Sequence, residues 1–361
     1  VYAVPAAGGE TVRLTNDDGA EGAPACGDDC SRIVYTFNAA KSHVFSIPVD
    51  GGDRAAITSR PHNHFAPTLS QDGSMWAYVS DDNGTHDVWV QPAAGGVAFN
   101  LTESRGDSGQ PAWAPDGSKL LYVSDRNGSS EIFVVGADGT GEELLITSEG
   151  DDFAPTWSPD GSGFAFVSDR MDGDSDLYLA TAAGGDVQRL TSMGGVGGVQ
   201  WSPDGSAISF TSQNTPSGQA QLFVISAGAS EPRALTSEGY NAGGVWSPDG
   251  SKILFGRHSG VGFDLAELDV ASGEITVIAS ADAWEVGGVY SPDGQWIAFQ
   301  GNMEGNYELY VMPATGGEPQ RITTTDADEN LVDWTPDGAL YYTTAEGDTN
   351  LWYMDVESAL P

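Results

Sequence analysis

Trp-Ser-Pro-Asp-Gly at 201–205 stands again at 157–161 and 246–250, and Trp-Ala-Pro-Asp-Gly fills 113–117. Tyr-Ser-Pro-Asp-Gly follows at 290–294, Trp-Thr-Pro-Asp-Gly at 334–338, and a weaker Leu-Ser-Gln-Asp-Gly begins at 69. Successive markers are 44, 44, 44, 45, 44 and 44 residues apart. Stepping back another 43 residues from Leu69 lands on Cys26, with Cys30 in the glycine slot. There Ser31-Arg32-Ile33-Val34-Tyr35 matches Ser118-Lys119-Leu120-Leu121-Tyr122, which makes eight copies.

Each copy carries the same strand signals. Pro-Asp-Gly is a turn, because Pro presets φ, Asp bonds the backbone ahead of it, and Gly takes φ > 0. An apolar-rich strand such as Lys119–Val123 follows, read as alternating, then a polar turn and a third strand such as Glu131–Val134. A fourth strand ends in Leu-Thr or Ile-Thr, as in Leu101-Thr102, Leu190-Thr191, Leu235-Thr236 and Ile322-Thr323. Four antiparallel strands per 40 to 50 residues mark a propeller blade. The expected fold is all-β: one β-propeller domain over residues 1–361, of eight four-stranded blades, with seven as the alternative. The chain ends on a third-strand pattern, Leu351–Met354, and begins with a fourth-strand pattern, Thr11–Thr15. Residues 1–15 are therefore expected to complete the last blade and remove an exposed edge. Val1–Val4 also reads as a third strand, and its place stays open.

Lys+Arg number 14 against 52 Asp+Glu, a net charge of −38. So acidic a surface repels phosphate backbones and anionic membranes, which excludes nucleic acid as a partner. No apolar run approaches the length of a membrane-spanning helix, and direct membrane insertion is not expected. Cys26 and Cys30 lie in a Gly-Asp-Asp-rich stretch. They are candidates for a short-loop disulfide, which would imply an oxidising compartment.

These repeats resemble the TolB-like (WD40-like) propeller family, which also supplies the propeller domains of prolyl-oligopeptidase-type peptidases. The resemblance covers nearly the whole chain. It implies the scaffold, a periplasmic or secreted location and a partner-binding habit. TolB proper adds an N-terminal α/β domain and the peptidases add an α/β-hydrolase domain. The quoted repeats contain neither, and no Gly-x-Ser-x-Gly elbow occurs.

Departures from the repeat are where function is sought. The residue five before each marker is expected near a funnel mouth: Glu21, His64, Ser108, Asp152, Val196, Asn241, Glu285 and Glu329. Together with Asp107, Tyr240 and Trp284 just before them, these form a candidate acidic ring for a cation, a basic ligand or a glycan. Trp296 stands where Lys119 and Lys252 stand in other copies, and with Trp284 it reads as an exposed aromatic pair. His62 and His64 share one strand face and are a candidate metal pair, with Asp107 or Asp152 as a third ligand. Asp169, Asp172, Asp174 and Asp176 form a carboxylate-dense turn, a weak calcium candidate that lacks the EF-hand pattern. The inner strands also fall into two classes. Pro24, Pro67, Pro111 and Pro155 mark one, and Gly197-Gly198, Gly243-Gly244 and Gly287-Gly288 the other, which implies a thinner wall on one side.

The expected function is a non-catalytic, extracytoplasmic binding or scaffold module for a protein or glycan partner, or a subunit of a larger surface or membrane-associated assembly, with calcium as the candidate cofactor. The alternatives are a polysaccharide-acting lyase or hydrolase with a funnel-mouth acid or metal site, and a peptidase relative without its hydrolase domain.

Overall fold

The structure is a computed structural model. It describes residues 63–344 with their side chains, except Ser104, Arg105, Asp172, Ala227, Ser259, Val261, Asp282, Pro336 and Asp337. Outside that span it describes the backbone of six strands, Tyr2–Ala3, Val12–Arg13, Ala20–Cys26, Ile33–Asn38, Lys41–Pro48 and Ala55–Ala56, and the end of Ala339–Glu346. His62, Cys30 and Leu351–Met354 lie outside the described residues, as does the side chain of Cys26. The chain divides into two compact units, one of residues 1–42 with 345–361 and one of residues 43–344.

In the larger unit, six consecutive copies each fold into a four-stranded antiparallel sheet. Each blade is named here by its marker: Leu69, Trp113, Trp157, Trp201, Trp246 and Tyr290. The Trp246 blade, for example, comprises Asn241–Trp246, Lys252–His258, Phe263–Asp269 and Ile275–Ala279 in spatial order. A seventh four-stranded sheet draws its strands from two separate stretches of the chain. Glu329–Trp334 and Ala339–Glu346 are followed in it by Lys41–Pro48 and Ala55–Ala56.

Two expectations change here. Eight blades are not what the described strands form. The strands at 41–48 and 55–56, which the repeat assigns to the first copy, stand in the seventh sheet, while Ala20–Cys26 and Ile33–Asn38 form a separate two-stranded sheet. Among the described residues of 1–15, Val12–Arg13 pairs with Tyr2–Ala3 rather than in that sheet. The physical reason lies in β-pairing itself: an open edge accepts any strand of matching pattern, and every copy carries such strands.

Apolar clusters explain why the sheets stand as blades. Each cluster lies between neighbouring sheets rather than within one. Val88 and Val90 meet Trp113, Leu120 and Tyr122. Leu121 and Ile132 meet Trp157 and Phe166. The last link joins the seventh sheet to the Leu69 blade, where Trp76 packs on Tyr341 with ring centroids 4.6 Å apart. The ring of contacts thus closes within residues 43–344.

A blade between two neighbours buries both faces, so the second strands do not alternate as the sequence reading expects. Leu120, Leu121, Tyr122 and Val123 are all buried, as are Phe164 to Val167. The marker tryptophans add a polar link. Trp113 Nε1 donates to the Thr68 carbonyl at 3.2 Å, Trp201 to Thr156 at 3.2 Å and Trp246 to Gln200 at 3.3 Å. Each acceptor immediately precedes the marker of the preceding blade.

The Pro-Asp-Gly turns behave as their chemistry requires. Ser158 and Ser202 donate their hydroxyls to Asp160 and Asp204, each at 2.6 Å. This donation, with that of Ser162 and Ser206, holds both carboxyls down to about 2. The glycine that follows is left-handed, with φ 69° at Gly161 and 70° at Gly205. A Cβ at Gly205 would meet nothing closer than 3.6 Å, so strain rather than a clash excludes other residues. Gly205→Ala is expected to destabilise the protein by about 1 kcal/mol or more, read as a lowered urea midpoint with an unchanged m-value.

Candidate functional site

The first strands of successive blades touch one another and line the inside of the ring. Each carries a bulge, and the residue three before the marker has a left-handed backbone there. It is Ala66, Gln110 and Ala154 in three blades, with φ between 47° and 51°, and Gly198, Gly243 and Gly287 in the next three. The glycine class therefore relieves backbone strain and also removes side chains from the inner wall. On that side a cavity of about 790 Å³ opens, walled by Gly243, Gly256 and Gly287.

Aromatic side chains make up most of the remaining wall. Phe263 lies at their centre, with ring centroids 5.0 Å from Trp284, 5.3 Å from His258 and 5.7 Å from Tyr240. Trp284 is 42% exposed and presents its indole to the opening. Phe263 and Trp284 also form a parallel backbone bridge, which ties the Trp246 blade to the strand entering the Tyr290 blade. Tyr307, Gln219 and Gln300 complete the polar part of the lining. Gln300 accepts the Leu331 amide at 2.9 Å through its Oε1.

Of the sequence candidates, Tyr240 and Trp284 are brought together here. Trp296 is exposed but stands at the far end of its hairpin: Glu285 pairs with Gly301, and Tyr290 with Ile297. Five residue steps at about 3.3 Å each separate the two ends, so the expected tryptophan pair is not a pair.

The expected acidic ring is turned away from the funnel. His64, Asp152, Asn241, Glu285 and Glu329 are each 2% exposed or less. They open the inner strands with their side chains held inside the blades. Asp152 takes Arg170 at 2.6 Å and Ser148 at 3.0 Å. Asn241 donates to Gln221 of the preceding blade at 3.0 Å. His64 meets the Tyr78 ring edge-on at 5.2 Å. The outer acid Asp107 accepts the His86 amide at 3.0 Å, and Asp151 and Asp328 accept the corresponding amides of Ser130 and Tyr307. In these positions, Asp residues cap amide groups across a blade boundary. Tyr240 and Trp284 replace that cap in the two blades that wall the cavity.

The carboxylate turn is likewise engaged. Asp169 accepts the Asp151 amide at 2.7 Å, and buried Asp176 takes Arg189 at 2.6 Å and Thr191 at 2.7 Å. Asp174 is exposed, and Asp172 lies outside the described residues. Among the described residues no three His, Cys, Asp or Glu side chains gather where they would hold a metal ion.

Two blade boundaries bury carboxyl pairs. In other blades the acid opening the third strand is satisfied by the fourth: Asp87 by Asn100 and Thr102, Asp176 by Arg189 and Thr191. In the Trp246 blade those fourth-strand positions are Ile278 and Ser280, and Asp264 Oδ1 makes no hydrogen bond. Glu285 stands against it with Oε2 equally unpaired. Burial, reinforced by the Asp264 charge and only partly offset by the Ala281 amide, pushes Glu285 up to about 7. At the next boundary burial raises Glu329 as well, and the neighbouring Glu308 adds to the shift. Burial also pushes Glu308 upward, but donors from Thr323, Glu329, Arg321 and Asn306 outweigh it and hold that group low.

A carboxyl raised in the folded state stabilises the protein fully below its unfolded value, 4.5 for Glu285, and loses that stabilisation as pH rises through about 7. The melting temperature is therefore expected to fall between about pH 5 and pH 8.5, and Glu285→Gln is expected to flatten that decline. A variant as pH-sensitive as the native chain in a calorimetric series would contradict this.

Sequence reasoning missed Phe263, His258, Tyr307, Gln219 and Gln300. A signal for two of them was present. The residue before the buried polar side chain of the third strand (Asp87, Glu131, Asp176, Gln221, Asp264 and Glu308) is His86, Ser130, Ser175 and Ala220 in four blades, but Phe263 and Tyr307 in the two that wall the cavity.

The fold and this lining define a β-propeller with a concave site on one side of its inner wall. The chain belongs to the TolB beta propeller domain family, whose model matches residues 6–150 and 140–287. A comparison with curated proteins finds no match. Among solved structures the chain is similar to TolB from Acinetobacter baumannii, with 24% identity and a TM-score of 0.52, covering 76% of this chain and 64% of that one. It thus spans less than two thirds of that TolB. It is also similar to an oligogalacturonate lyase in complex with manganese, with 18% identity and a TM-score of 0.68, covering 85% and 98%. A third likeness is to the β-propeller domain of the trilobed protease from Pyrococcus furiosus, with 14% identity and a TM-score of 0.61, covering 85% and 99%. At these identities the likenesses establish the fold. No helix among the described residues is long and apolar enough to cross a membrane.

Proposed function

We propose that the protein is an extracytoplasmic binding module, one propeller domain with a ring of seven blades, which engages a protein or glycan partner through the aromatic cavity. The observation that carries this is the cavity itself. Its volume lies in the range of ligand sites, and it combines an apolar wall with a few polar groups. Binding is favoured over catalysis because the lining offers one imidazole, His258, and no carboxylate, hydroxymethyl, thiol or amine group. Glycoside hydrolysis of the usual kind uses a pair of carboxyl groups, and the described lining holds none. The family relationship and the likeness to TolB support a partner-binding role in the periplasm or outside the cell.

A ligand screen by thermal shift, read in parallel by intrinsic tryptophan fluorescence, tests this. A ligand of the cavity is expected to raise the melting temperature of the native chain and to lose that effect in Trp284→Ala. Turnover of a bound polysaccharide, abolished by His258→Ala, would instead establish the enzyme reading.

A further inference from the structure

The described lining of the cavity between the Trp246 and Tyr290 blades carries no carboxylate and no fixed cation. Among the described residues no Lys or Arg lines it, and His258 is the one lining side chain that can carry positive charge, so an anionic group entering it would find no fixed cation and would enter against a chain of net charge −38. No Asp or Glu among the described residues lines it either. Asp264 and Glu285 follow Phe263 and Trp284 in sequence, yet they are buried rather than part of the lining, because strand residues alternate between faces. What remains is a half-exposed indole backed by Phe263, with amide and phenol groups around it. Gln300 spends its carbonyl oxygen on Leu331, which leaves its amide nitrogen as a donor. Tyr240, Tyr307 and Gln219 add hydroxyl and amide groups that both donate and accept.

A neutral ring with one apolar face and hydroxyls at its rim matches both features. We infer that this cavity is a binding site for neutral oligosaccharides, with a sugar ring stacked on Trp284 and its hydroxyls bonded by Gln300, Tyr307 and Tyr240. A protein partner is less well suited. A stable protein interface covers about 800 Å² on each side and is broad, whereas this site is a concave cavity bordered by glycine backbone. The inference rests on the binding reading above and narrows it to one ligand class.

The test is titration calorimetry of the described chain against cellohexaose, maltohexaose and mannohexaose, with hexagalacturonate as the anionic probe and hexalysine as the cationic one. A neutral-oligosaccharide array precedes it to select the linkage. A neutral oligosaccharide is expected to bind, and Trp284→Ala to weaken it at least tenfold. Gln300→Ala is expected to weaken it severalfold. Trp296→Ala removes an equally exposed tryptophan at the far end of the same hairpin and is expected to leave affinity unchanged. Circular dichroism and the melting temperature establish that each variant is folded. Tighter binding of hexagalacturonate or hexalysine than of every neutral sugar would overturn the inference. So would Trp284-dependent binding of a peptide with no sugar bound, an outcome that leaves the binding reading standing. If no probe of any class binds in a Trp284-dependent way, both readings fall.

Discussion

The structure depends on one constraint: a four-stranded blade has two apolar faces and can cover neither by itself. Every apolar cluster in residues 63–344 therefore spans a blade boundary, and the second strands are buried on both sides. No blade is complete until it has two neighbours, and the ring is the arrangement in which all of them do. The polar groups follow the same logic. The indoles of Trp113, Trp201 and Trp246 donate to the preceding blade, and Asp107, Asp151 and Asp328 cap its amide groups. Buried acids at the third strand are matched by residues of the fourth.

The cavity arises where that stitching lapses. Tyr240 and Trp284 replace the capping Asp, Phe263 and Tyr307 replace small or polar residues, and glycines replace Ala66, Gln110 and Ala154 on the inner wall. The same boundary carries Asp264 Oδ1 and Glu285 Oε2, each without a hydrogen-bond partner. Buried unpaired carboxyls cost stability, and a fold that retains them beside a ligand-sized cavity has given up some stability locally. Aromatic surface, thin backbone and unpaired carboxyl oxygens therefore meet at this blade boundary.

Much of the fold was legible because the marker is chemically demanding. Pro, Asp and left-handed Gly in succession admit few conformations, so a spacing of 44 residues translates directly into blades. The blade count was less legible. Lys41–Pro48 carries the same pattern as any third strand, and pattern does not say which edge it joins. Of the site, Tyr240 and Trp284 were visible as departures from the repeat. The acidic ring was misjudged because Asp152, Glu285 and Glu329 sit one position along a strand from the wall, and one position reverses the face.

The amino-acid sequence by itself determined the all-β repeat, the turn chemistry, the acidic surface and the membership of the TolB propeller family, since each depends on local spacing or on composition. Only the tertiary structure decided that the carboxylates point into the blades, that Trp296 lies far from Trp284, and that Phe263, His258 and Gln300 join Trp284 around one cavity. These residues come from different strands of two blades, and their meeting is set by how sheets pack rather than by any interval along the chain.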